Sequence, residues 1–198
     1  MFKDTRYFEK YAMLSLDCMG LSSAAFLMGE SPDLQSEGTG TGIEVTRAIS
    51  ERARLREFVM HELRRSYPTM ATDISFSDGI AFIQAVNGLF GGKIHIEEIE
   101  RSIEVKTAKL NKNYKVFAKN HLYVFTFDKN LTADYALFAV RKARPEGKVR
   151  FDLFFVNCVD KIYVTDGRKV DTVKLAPAAQ KAIDKAIREN SKQNTDDR

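Results

Sequence analysis

The sequence predicts an α+β protein: N-terminal helices followed by an antiparallel β-meander of about five strands and a C-terminal helix. Three observations carry that prediction. Apolar residues recur at near-helical spacing over much of the chain before residue 110. From Leu122 onward the apolar residues instead form short aromatic and β-branched runs. Asp166-Gly167 separates two of those runs, a strong signal for a two-residue hairpin.

Residues 2–28 read as a helix, apolar over most of its second half. Ser31-Pro32-Asp33 and Gly38-Thr39-Gly40-Thr41-Gly42 follow, a glycine and proline density that predicts a flexible linker. Thr41 and Glu44 have capping-box spacing and open an expected amphipathic helix over 43–65, with Val45, Ala48, Ile49, Leu55, Val59 and Leu63 as its apolar side. Ser75 and Asp78 mark a second helix that ends at Gly91-Gly92. Ile96, Ile99 and Ile103 mark a third, with Glu97, Glu98 and Glu100 near its positive end.

Strands are expected at 122–127, 135–142, 149–156, 161–165 and 168–175, too closely spaced for helical crossovers. Pro177 opens the last helix, with Ala182, Ile183, Ala186 and Ile187 inward. The domain scheme is therefore an apolar helix and linker over 1–42, one α+β domain over 43–190 and a disordered tail over 191–198. Within that domain, helices occupy 43–110, the sheet 120–175 and the final helix 177–190.

A chain of 198 residues can bury a core without staples. Cys18 and Cys158 cannot form a disulfide framework and read as buried free thiols of a reducing, cytoplasmic protein. The segment 12–28 has the outline of a signal or membrane segment, but Asp17 stands at its centre. A central charge costs roughly 2.5–3.5 kcal/mol on insertion scales, so no membrane role is expected. The tethered helix of residues 1–28 is instead expected to dock on another copy, making a homo-oligomer.

No local motif assigns chemistry. The Gly38–Gly42 run lacks the Lys-Ser/Thr ending of a phosphate loop. His61-Glu62-Leu63-Arg64-Arg65 has arginine where a zinc-protease helix needs its second histidine. His95 and Glu98 make only half of a metal site, and Asp73 with Asp78 or Glu97 with Glu98 are paired acids without a known geometry. No catalytic residue, metal ligand or cofactor is assigned from sequence.

Charge is unevenly placed. Residues 1–100 carry a net −5, residues 101–150 a net +8 and residues 151–198 a net +1. Lys106, Lys109, Lys112, Lys115 and Lys119 recur every three or four residues, and Arg141, Lys142, Arg144, Lys148 and Arg150 follow. With the aromatic Tyr123 nearby, these are the expected residues of a single-stranded nucleic-acid surface, which needs phosphate neutralisation and base stacking. The sequence thus predicts a non-enzymatic binding protein for RNA or DNA. The alternatives are an assembly protein acting through protein contacts, or an enzyme whose acidic and histidine residues assemble from distant parts of the chain.

Overall fold

The computed structural model describes residues 6–48, 96–126, 130–143 and 147–196. Seven strands form one sheet whose spatial order is the chain order: β1 (Leu27–Met28), β2 (Leu34–Ser36), β3 (Thr41–Arg47), β4 (Lys119–Phe125), β5 (Leu153–Asn157), β6 (Lys161–Thr165) and β7 (Val170–Lys174). The central three, β3, β4 and β5, run parallel. β1 and β2 flank them on one side and β6 and β7 on the other, each pairing antiparallel with its neighbour. The broad α+β class holds; the purely antiparallel five-stranded meander does not.

Among the described residues, four α-helices cover the sheet: α1 (Tyr7–Ser15), α2 (Ile96–Leu110), α3 (Ala133–Lys142) and α4 (Pro177–Asp196). Strand alternation sorts them into two layers. Ile43, Val45, Tyr123, Phe125 and Phe155 face a core completed by Tyr7, Tyr11, Ala12 and Leu16 of the N-terminal segment and Ile183 and Ile187 of α4. Leu122, Val124, Phe154 and Val156 face the opposite core, completed by Ile99, Ile103 and Leu110 of α2 and Ala136, Ala139 and Val140 of α3.

Parallel neighbours need a crossover, and α3 supplies the one from β4 to β5. Its residues 135–142, a short apolar run ending in Arg141 and Lys142, were expected to be a strand. The side chain of Thr132 instead accepts from the Tyr135 N–H, and Ala136, Ala139 and Val140 bury a helical stripe.

The expected helix over 2–28 stops at Ser15. There the Ser15 hydroxyl donates back to the Ala12 carbonyl, and the chain tightens into a 3₁₀ turn over Leu16–Met19. Asp17 then accepts from both the N–H and the hydroxyl of Ser23, at 2.8 and 2.7 Å, in a second 3₁₀ turn over Ser23–Ala25. Cys18 in the first turn is exposed, against expectation, whereas Cys158 is buried as expected. No helix among the described residues is long and apolar enough to cross a membrane.

The expected linker holds β2 and the hairpin turn into β3, and the expected helix start at Thr41 is the first residue of β3. Gly42 is required there for space: a Cβ at this position would sit 2.7 Å from both the Phe117 ring and Pro32. The rest of the 43–65 helix and the whole 75–92 helix lie outside the described residues. The third expected helix is α2, longer than its isoleucines alone marked. β6, β7 and the Asp166-Gly167 hairpin stand where the sequence placed them, and α4 continues to Asp196.

Candidate carboxylate–lysine site

The β2–β3 hairpin brings two carboxylates together. Leu34 pairs with Ile43, so the preceding residue, Asp33, lies across from Glu44. Asp33 Oδ2 accepts the backbone N–H of Val45 at 2.7 Å, which fixes the carboxylate beside β3. Ile43 and Val45 face the α1 side, so Glu44 between them projects toward α2.

α2 presents a cation to it. The inward stripe of this helix is Ile99, Ser102, Ile103, Thr107 and Leu110. Lys106 falls within that stripe, three residues after Ile103 and four before Leu110. Its ammonium donates to Glu44 Oε1. Tyr114, just beyond α2, donates to the same oxygen at 2.7 Å. Glu44 is only 3% exposed, and its other oxygen, Oε2, is buried without a hydrogen-bond partner. Glu9 of α1 likewise has a buried, unpartnered Oε2.

The electrostatics follow from this crowding. Burial first, and then the negative charge of Glu44, push the Asp33 carboxyl up to about 7. The Val45 N–H and the Lys106 ammonium oppose that rise, and the charge of Glu9 adds to it. Tyr114 is held well above the ordinary phenol value, by burial and then by its bond to Glu44. The Lys106 ammonium thus sits on Glu44 while a second carboxylate, Asp33, is close enough to feel both charges.

Among the described residues, no three His, Cys, Asp or Glu side chains form a group able to hold a metal by themselves. Two carboxylates are nonetheless the usual protein share for Mg²⁺, which keeps several waters and takes its remaining oxygens from a substrate phosphate. Asp33 and the free oxygen of Glu44 fit that donor set.

The residues expected to bind nucleic acid divide into groups. Lys106 is turned inward to Glu44. Lys109, Lys112 and Lys119 are exposed along the end of α2 and the start of β4. Lys115 pairs with Glu37 and lies 4.8 Å over the Phe117 ring. Asn111 reaches across to Val149, donating to its carbonyl at 2.8 Å and accepting its N–H at 2.9 Å. That bridge joins the segment carrying the exposed Lys148 and Arg150 to the segment carrying Lys112. The Lys115 N–H donates to the Ser31 carbonyl at 3.2 Å, two residues from Asp33, so this basic segment lies against the carboxylate hairpin.

The others sit differently. Arg141 donates to the carbonyls of Gly167 and Arg168, at 2.8 and 2.7 Å, and so ties α3 to the β6–β7 turn. Lys142 pairs with Glu100 at 3.1 Å. Tyr123 has no exposed surface; its hydroxyl bonds Ser15 Oγ at 2.9 Å and accepts from Asn157 at 2.8 Å. Arg144, His61, Glu62, Asp73, Asp78 and His95 lie outside the described residues.

Sequence reasoning passed over Asp33, Glu44 and Glu9. The available signals were a glutamate flanked by Ile43 and Val45 in a β-branched run, and a lysine inside the apolar stripe of α2. No protein family, no curated protein and no solved structure matches the chain.

Proposed function

We propose that this protein is a divalent-cation-dependent phosphodiesterase acting on nucleic acid, with Asp33, Glu44 and Lys106 as its central residues. This is the third class of function considered from sequence, an enzyme with a site assembled from distant residues. The observation that carries it is Glu44: a buried carboxylate with one oxygen unpartnered, opposite the half-buried carboxylate of Asp33 and touching a lysine.

The chemistry suits hydrolysis. Asp33 and Glu44 would hold a Mg²⁺ ion, which would supply Lewis acidity to the attacked phosphate. Lys106, beside Glu44, offers positive charge where negative charge builds on the attacked phosphate. Water adds to phosphorus, the bond to one ester oxygen breaks, and that oxygen leaves with a proton. The exposed Lys109, Lys112, Lys119, Lys148 and Arg150 supply the long-range attraction for the polyanion. A cytoplasmic setting belongs with this reading.

Nucleic-acid binding without cleavage is the second reading, supported by the same basic residues. Self-association through residues 1–28 and a purely structural role have less support, because α1 buries its apolar face in the chain's own core. The test is incubation with single- and double-stranded DNA and with RNA, in Mg²⁺ or chelator. The proposal expects Mg²⁺-dependent cleavage that Asp33→Asn abolishes. Salt-sensitive binding with no cleavage of any substrate overturns it in favour of the second reading.

A further inference from the structure

Lys106 and Tyr114 both donate to the same oxygen of Glu44, Oε1, and the other oxygen stays buried and unpartnered. We propose that Tyr114 is a positioning residue that restricts Glu44 to one-oxygen ligation and so makes the site select Mg²⁺ over Ca²⁺. This rests on the metal-dependent reading above and names a specificity that reading does not contain.

The inference starts from occupancy. A carboxylate whose Oε1 already accepts an ammonium and a phenol hydroxyl has little lone-pair capacity left there. Its Oε2 has all of its capacity free, inside a side chain that is 3% exposed. A metal held here would therefore meet Glu44 through Oε2 alone. Mg²⁺ accepts that, because it is small, octahedral and content with few carboxylate oxygens. Ca²⁺ takes six to eight oxygens and gains from bidentate carboxylates, which the Tyr114 bond obstructs.

Tyr114 can do this because its place is fixed from both sides. Asn111, three residues before it, is bonded to Val149, and Lys115, directly after it, donates its N–H to Ser31. The tyrosine also ties Glu44 to the segment that carries Lys112 and Lys115. Lys106 alone would not hold the carboxylate in one orientation, since an ammonium on a four-carbon stem follows either oxygen.

The experiment is calorimetric titration of the full chain with Mg²⁺ and separately with Ca²⁺, for the wild type, Tyr114→Phe and a form with 4-aminophenylalanine at position 114. The aminophenyl group keeps a donor at the ring's far end. Tyr114→Phe is expected to lose Mg²⁺ affinity and gain or keep Ca²⁺ affinity, narrowing the ratio about tenfold. The aminophenylalanine form is expected to restore the wild-type ratio, and it carries the test if the phenylalanine variant does not fold. Equal losses for both ions, or an unchanged ratio, overturn the role of Tyr114. A wild type that binds neither ion overturns the metal reading itself, which is a separate outcome.

Discussion

Asp33 and Glu44 face each other across the β2–β3 hairpin, and the Val45 N–H, 2.7 Å from Asp33 Oδ2, keeps them there. Two carboxylates held this closely repel, and the fold tolerates the repulsion through Lys106. Asp33→Asn and Glu44→Gln remove one charge each with little change of shape. Each is expected to lower the Mg²⁺-dependent cleavage rate by roughly 100- to 1000-fold or more; the melting temperature should stay equal or rise for Asp33→Asn and fall for Glu44→Gln, which also leaves Lys106 without its partner carboxylate. Rate and thermal unfolding measured on the same preparations check both halves.

The pH dependence follows from the Asp33 value of about 7. An unfolded aspartate titrates near 3.9. The folded state therefore holds more protons between those values, and stability falls as pH rises from about 4 through 7. Melting temperatures of the wild type and Asp33→Asn between pH 5 and 8 should diverge, with the wild type losing more as pH rises. Added Mg²⁺ should raise the wild-type melting temperature more at pH 8 than at pH 5, because the ion competes with that proton.

Lys106 is 18% exposed, and Glu44 is almost fully buried. Lys106→Met takes away the ammonium and leaves Glu44 with Tyr114 alone. The expected cost is about 1–3 kcal/mol of stability, together with loss of cleavage. Denaturant unfolding at pH 5 and pH 8 checks the first. The loss should be smaller at pH 5, where one carboxyl of the pair carries a proton.

The basic residues separate by salt dependence. Alanine at Lys112, Lys148 or Arg150 should each reduce the slope of log K against log salt by about 0.7–0.9, if each meets one phosphate. Arg141→Ala should instead lower stability, because its guanidinium holds the carbonyls of Gly167 and Arg168. Tyr123→Phe should cost about 1 kcal/mol through the lost hydroxyl bonds to Ser15 and Asn157, and leave the salt slope unchanged.

The Asn111–Val149 bridge is testable without touching a charge. Asn111→Ala removes both bonds and should weaken nucleic-acid binding several-fold by releasing the segment of Lys148 and Arg150 from that of Lys112. Gly147→Ala should do the same more severely. Its Cβ would meet the Asn111 side chain at 2.2 Å, and its φ of +129° is one that L side chains rarely adopt. Filter binding at two salt concentrations distinguishes these losses from a loss of charge.

The parts of the fold legible from sequence were those set by local chemistry. Asp166-Gly167 specifies its hairpin, Pro177 its helix, and Ile96, Ile99 and Ile103 the face of α2. What escaped was set by distance. Tyr135 to Val140 is a short continuous apolar run that fits a buried strand or a helix alike, and the parallel β4–β5 pairing, which needs a crossover, goes with the helix. Thr41–Glu44 matches a capping box, yet Gly42 under Phe117 and Pro32 belongs to a strand. The site was hidden for the same reason. Asp33, Glu44 and Lys106 are separated by 11 and 62 residues, and no spacing rule joins them. The basic segment was legible as charge, but not that Lys106 turns inward while Lys109 and Lys112 face out.

The most direct test is gel-resolved cleavage of end-labelled single-stranded and duplex oligonucleotides at pH 8, comparing wild type with Glu44→Gln in Mg²⁺ and in chelator. Cleavage by the wild type in Mg²⁺ only, and by the variant in neither, is the predicted result. Intact substrate in every wild-type lane, or equal cleavage by the variant, would contradict a phosphodiesterase centred on Glu44.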